Sequence, residues 1–164
     1  MSAASERERL RHLIDVVEAE AAALKRTDAE LFVAPFDAPR ASSLRQDNAI
    51  AEKVDAFAMR FGRLQDTLGD KLLPAVLRAG GEPPQPLIDN LRLAERFGWL
   101  DDADNWLLLR QLRNRLVHDY LRDDPLLAEA LNAAHEGSAS LLRGAARLLD
   151  EARRRLHDGR LAAP

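Results

Sequence analysis

Nine consecutive residues hold most of the reactive side chains this chain offers: Leu112-Arg113-Asn114-Arg115-Leu116-Val117-His118-Asp119-Tyr120. They include the only tyrosine and one of four histidines. Between Trp106 and Arg122 the charged residues are four Arg and one Asp, a cationic stretch in a protein of formal net charge -3. Such a cluster attracts phosphate. An unperturbed imidazole titrates near about pH 6.5, so His118 can exchange a proton with a ribose 2′-hydroxyl or a leaving oxygen at neutral pH. Arg113 can hold a phosphate through two parallel N–H bonds and stabilise charge developing on its oxygens. Asn114 stands one helical turn before His118 and can set its tautomer by a hydrogen bond. These residue types point to phosphodiester chemistry on RNA, which requires no metal because the ribose carries its own nucleophile.

The same residues admit a structural reading. His118 suits the negative end of a helix dipole. Arg115 and Asp119 make an ordinary i,i+4 pair, and Tyr120 fits a core aromatic with its hydroxyl at the rim. Geometry also constrains the catalytic reading. On an ideal helix positions 113 and 118 lie about 140° apart, whereas 113 and 120 nearly eclipse. One straight helix therefore does not aim Arg113 and His118 at a single point. Either the helix end distorts or the site is shared between two copies. A two-fold homodimer around this helix brings two Arg and two His to one cleft and doubles the local positive charge.

Other chemistries lack their residues. Cysteine is absent, which removes disulfides, thiolate nucleophiles and Cys-ligated metal. There is no phosphate loop, no G-x-G-x-x-G, no H-E-x-x-H and no nucleophile elbow. None of His12, His118, His135 and His157 has a second ligand at zinc spacing, so no metal or cofactor is expected. His12, His135 and His157 read as surface or packing residues. The 164 residues are 46% hydrophobic and 31% charged, the balance of one globular domain. No apolar run approaches the ~18 residues of a membrane span, and the charged N-terminus is unlike a signal peptide. The expectation is one cytoplasmic domain over 1–164, its core about 5–157, with no membrane partner. No third of the chain is strongly basic, which argues against a protein that coats DNA. Arginine outnumbers lysine 21 to 3, consistent with phosphate recognition or with the codon usage of a GC-rich genome.

Helical periodicity runs through the chain, and no alternating β-branched run offers a strand. The spacing predicts a first helix from Ser5, with Glu8 completing a capping box, and a break near Thr27–Glu30. A loop is expected at 35–41 and a second helix from Ser42 or Ser43 with the seam Ile50, Val54, Phe57, Phe61, Leu64, Leu68. Pro74 should kink or end it. After the loop at 80–86, a short helix is expected at 86–97, a fourth from about 101–104 to Arg122, and a fifth from Asp124-Pro125, its seam Leu127, Leu131, Ala134, Ser138, Leu141, Ala145, Leu148, Ala152 and Leu156. The fold expected is all-α, an up-down bundle of four to five helices.

The string Arg113-x4-His118-x-Tyr120, with Asn114 directly after the Arg, resembles the signature of the HEPN superfamily, and more narrowly the HepT-type toxins of HEPN/MNT toxin–antitoxin pairs. The segment Met59-Arg-Phe-Gly-Arg-Leu-Gln-Asp-Thr-Leu-Gly69 also resembles the long second helix of that group. The resemblance spans roughly Ser42 to Leu156. It implies a HEPN-like bundle that dimerises around the motif helix and a metal-independent endoribonuclease acting on tRNA or mRNA. Arg113 and His118 would be the catalytic pair, supported by Asn114. Tyr120 would be where an MNT-type nucleotidyltransferase antitoxin attaches AMP, silencing the toxin by crowding the anion site with phosphate. Relatives described as non-catalytic substrate-binding partners of nucleotidyltransferases leave a docking subunit as the alternative.

Overall fold

The computed structural model describes residues 2–118 and 122–158, the side chains of Val117 and His118 excepted. All regular structure among them is helical: α1 Ala3–Leu31, α2 Ala38–Ser43, α3 Asn48–Thr67, a π-helical turn Leu68–Leu72, α4 Leu73–Ala79, α5 Leu87–Arg96, α6 Ala103–His118 and α7 Asp124–His157. Most helix starts are marked by a side-chain oxygen that accepts an otherwise unpaired backbone N–H. Ser2 caps α1, Asp37 caps α2, Asp47 caps α3 and Asp123 caps α7. Asp102 accepts from the amides of Asp104 and Asn105 at the head of α6.

The four long helices form a closed ring in the order α1, α3, α6, α7. Side-chain pairings give their directions. Lys53 meets Glu30 while Thr67 donates to Glu20, so α3 runs against α1. Arg113 meets Asp66 and Arg110 meets Asp70, so α6 runs against α3. Asp101 takes Arg143 and Arg147 at one end of the α6–α7 pair, while Leu109 packs at Gly137 further along. Arg7 donates to the Leu156 carbonyl, and Asp28 takes His135 and Ser138. Every neighbouring pair is thus antiparallel, the up-down arrangement. The expected seams face inward: Phe57, Phe61 and Leu64 from α3, Leu68 from the π turn, and Leu131, Leu141 and Leu148 from α7, are all buried. Fully burying a side chain of this size contributes about 1.5–3 kcal/mol, so this interior dominates the stability of the bundle.

The local punctuation departs from expectation in several places. The first helix starts at Ala3 rather than Ser5, because Ser2 supplies the capping oxygen and the Ser5 amide donates to it. It runs unbroken through Thr27, whose hydroxyl donates back to the Ala23 carbonyl. The expected loop at 35–41 is cut short by α2, which starts at Ala38 with Pro39 in its first turn and runs to Ser43. Helix α3 opens at Asn48, five residues or more after the expected serines, because Asp47 is the oxygen in capping geometry. Among the described residues the four or five expected helices become seven, because the expected loop at 35–41 gives way to α2 and the π turn divides the second helix, while four long helices build the bundle.

Pro74 neither ends nor sharply stops the second helix. Proline cannot donate to a carbonyl four residues back, and its ring crowds that carbonyl. The chain meets this by widening into the π turn Leu68–Leu72 and resuming as α4 with Pro74 in the first turn, one of the few ways a helix passes such a residue.

Close approach of α7 to its neighbours depends on glycine. A Cβ at Gly137 would fall inside the van der Waals radius of the buried Leu109, and one at Gly144 would lie 2.8 Å from Leu100 Cδ2. Gly137→Ala gains up to ~1 kcal/mol of helix propensity but forces Leu109 from its seat, an overpacking cost of about 1–3 kcal/mol. The expected net result is a lower midpoint of thermal or denaturant unfolding, read by far-UV circular dichroism. A variant as stable as the parent would show that α6 and α7 can separate locally at no cost.

Candidate functional site

Helix α6 carries the motif segment, and its sides differ sharply. Trp106 and Leu109 are buried in the bundle, whereas Leu108 is 61% exposed and Gln111, Asn114 and Arg115 face outward. Arg113 points to neither. Its side chain is only 17% exposed and lies across α3. It crosses the helix where α3 has Gly62. A Cβ there would stand 2.7 Å from Arg113 Nη1 and 3.0 Å from its Cδ, so only glycine leaves the slot open.

One turn further along α3, Asp66 closes the slot. Arg113 Nη1 donates to Asp66 Oδ2 at 3.1 Å and Nη2 to Oδ1 at 3.2 Å. This is a two-point fork matching guanidinium to carboxylate. The buried Nε of Arg113 has no acceptor among the described residues. A second pair, Arg110 with Asp70 at 3.8 Å, repeats the match one helical turn away. Two of the four arginines counted in this segment are therefore matched by carboxylates of α3 and the π turn, which corrects the picture of an uncompensated cationic helix.

Arg113, Asp66 and Asp70 border a cavity of about 820 Å³ over the outer face of α3. Helix α1 contributes Glu20, α3 and the π turn contribute Met59, Arg63, Asp66 and Lys71 among others, and α6 contributes Arg113 and Leu116. Its charged lining comprises Glu20, Asp55, Asp66 and Asp70 against Arg63, Lys71 and Arg113. The cavity of one chain is thus close to electrically balanced and does not draw polyanions by bulk charge.

Glu20 stands out on the α1 wall. The Thr67 hydroxyl donates to its Oε1 at 3.1 Å, while its Oε2 is buried with no partner among the described residues. Burial pushes its carboxyl above the ordinary value, against the Thr67 hydrogen bond and the nearby charges of Arg63 and Lys71.

The expected site residues fare unequally. Arg113 is seated in a preformed slot, and Asn114 lies on the exposed side of α6. The backbone is helical through position 118, so the separation of about 140° between positions 113 and 118 holds and the helix does not distort to close it. The side chain of His118 and all of Asp119 and Tyr120 lie outside the described residues. Gly62, Asp66 and Asp70 carry no chemical signal in the sequence alone. They form a row at i, i+4 and i+8 along α3 and the π turn, matched by arginines at i and i+3 on α6, and only the packing of the two helices reveals it. Among the described residues no three His, Cys, Asp or Glu side chains gather as a metal site, and no helix is long and apolar enough to cross a membrane. No family model, curated protein or solved structure matches the chain.

The Glu20 environment has a consequence for stability. A raised carboxyl pKa means that the folded state binds the proton more tightly than the unfolded chain. Stability from this group is therefore full below 4.5, the unperturbed value, and is lost as pH rises through the elevated folded value. Glu20→Gln is expected to flatten that part of the stability curve, measured as the urea midpoint across mildly acidic pH. An unchanged slope would show that Glu20 is solvated like a surface carboxylate.

Proposed function

We propose that the chain is a metal-independent endoribonuclease toxin of the HepT type, from a cytoplasmic HEPN/MNT toxin–antitoxin pair. The observation that carries this reading is the seat of Arg113. A lone arginine on a helix is ordinary. This one is held in a single orientation by a glycine slot and a carboxylate fork, at the edge of a cavity, within the Arg-Asn-x3-His-x-Tyr segment. Preorganisation of a cation that must stabilise developing charge removes an ordering cost from the reaction step.

In this reading the ribose 2′-hydroxyl attacks the adjacent phosphorus. The 2′-oxygen–phosphorus bond forms, the 5′-oxygen bond breaks, and the products are a 2′,3′-cyclic phosphate and a free 5′-hydroxyl. His118 moves the proton to or from the attacking or leaving oxygen, and Asn114 orients the imidazole. Arg113 stabilises the non-bridging oxygens. Because Arg113 and His118 diverge around α6, the working site draws on two chains. The outward Leu108, on a helix whose other side packs Trp106 and Leu109, supports α6 as the homodimer seam. Tyr120 is the acceptor of AMP from the MNT-type nucleotidyltransferase antitoxin.

The near balance of charge around the cavity favours a second reading, a non-catalytic subunit that docks the nucleotidyltransferase. Both are tested with the purified chain, without partner, on tRNA and mRNA in EDTA. Cleavage leaving 2′,3′-cyclic phosphate ends is expected, reduced at least ~100-fold by His118→Ala or Arg113→Ala, with circular dichroism unchanged. Intact RNA alongside a stable complex with the transferase selects the docking subunit. Undiminished AMP addition to Tyr120→Phe, read by mass spectrometry, removes that assignment.

A further inference from the structure

We infer that Asp66 is a built-in competitor for the anion at Arg113, so that the lone chain holds this arginine closed to simple phosphate. The inference rests on the reading of Arg113 as a phosphate-holding group, and not on RNA cleavage itself. A guanidinium offers a fork of paired N–H donors to a carboxylate or a phosphate. In this chain Nη1 and Nη2 both donate to Asp66. The remaining edge is no substitute, since Nε is buried without a partner among the described residues and Gly62 backs Nη1 and Cδ. The accessible fork therefore already holds an anion. Asp66 is the more exposed member, at 43% against 17% for Arg113, so the carboxylate is the partner free to swing out.

Two effects oppose each other when the Asp66 charge is removed. Its repulsion of a phosphate about 6 Å away, at an effective dielectric of ~20, corresponds to roughly a hundredfold in affinity. Releasing the arginine from its fork returns side-chain freedom worth at most about tenfold, and less where Gly62 and the buried Nε still confine it. Repulsion wins, and the expected net gain is about tenfold. A ligand carrying several phosphates escapes this limit in the wild type. Arg63 and Lys71 line the same cavity and are in no ion pair recorded among the described residues. They can hold flanking phosphates while one displaces Asp66. The pair thus selects an oligonucleotide over a free phosphate ion.

The test is inorganic phosphate binding by isothermal titration calorimetry and by phosphate-dependent thermal shift, on the full chain. Asp66→Asn is expected to bind about ten times more tightly than wild type. Asp66→Glu, which keeps the charge, and Asp66→Asn combined with Arg113→Gln are both expected to lose the gain. Equal or weaker phosphate binding by folded Asp66→Asn overturns the inference, as does a gain that survives loss of Arg113. Should Asp66→Asn unfold, Asp66→Ser takes its place under the same criteria. Failure here with RNA still cleaved by wild type sinks only the role of Asp66. A gain here with RNA left intact sinks the nuclease reading instead.

Discussion

The ion pair between Arg113 and Asp66, laid across Gly62, is the contact on which the interest of this protein turns. It ties α6 to α3 at the point where the motif segment begins. A guanidinium this covered requires a partner, because leaving it buried and unpaired would cost several kcal/mol. Asp66 meets that requirement and leaves Nε without an acceptor among the described residues. The same pair orients the arginine and occupies the donors through which it would act. Structure and reactivity are coupled in one two-point contact, and any ligand of Arg113 must contend with it.

The bundle around this pair is organised to bring α3 and α6 together along one face. Helix α6 is wedged between α3 and α7, with Trp106 against Gly69 of the π turn on one side and Leu109 against Gly137 on the other. Buried Gln65 donates to the Trp106 carbonyl and locks the register of the two helices. The π turn follows from Pro74, whose missing N–H forces the ladder to shift. It contains Asp70, so the feature that accommodates proline also helps set the second acidic partner of α6. The long seam of α7 and the antiparallel return of α1 complete the frame that holds α3 against α6.

Much of this was readable before any coordinates. Unbroken 3.6-residue periodicity excluded a sheet, and the seams of α3 and α7 are the buried rows that periodicity implied. That residues 112–120 concentrate the chain's reactive side chains was legible from residue types alone. The helix starts were less so, because several Ser and Asp residues near each boundary can cap equally well on paper. Asp47 rather than Ser42 or Ser43 wins at α3, since the intervening residues are taken up by α2 and its exit. Asp66 was invisible as a functional residue, since an acidic residue on a partly exposed stripe looks like every other solvated carboxylate.

By itself the sequence determined the helical class, the number of long helices and the chemical repertoire of the motif, because these depend on local periodicity and side-chain type. It also determined that positions 113 and 118 diverge, because helical pitch is the same in any context. Only the tertiary structure decided that Arg113 turns inward across Gly62 to meet Asp66 while Asn114 remains outside. That choice depends on which face of α6 meets α3 and how closely two backbones approach. No property of either helix alone encodes it, since the pairing of a row on one helix with a row on another exists only once both are packed.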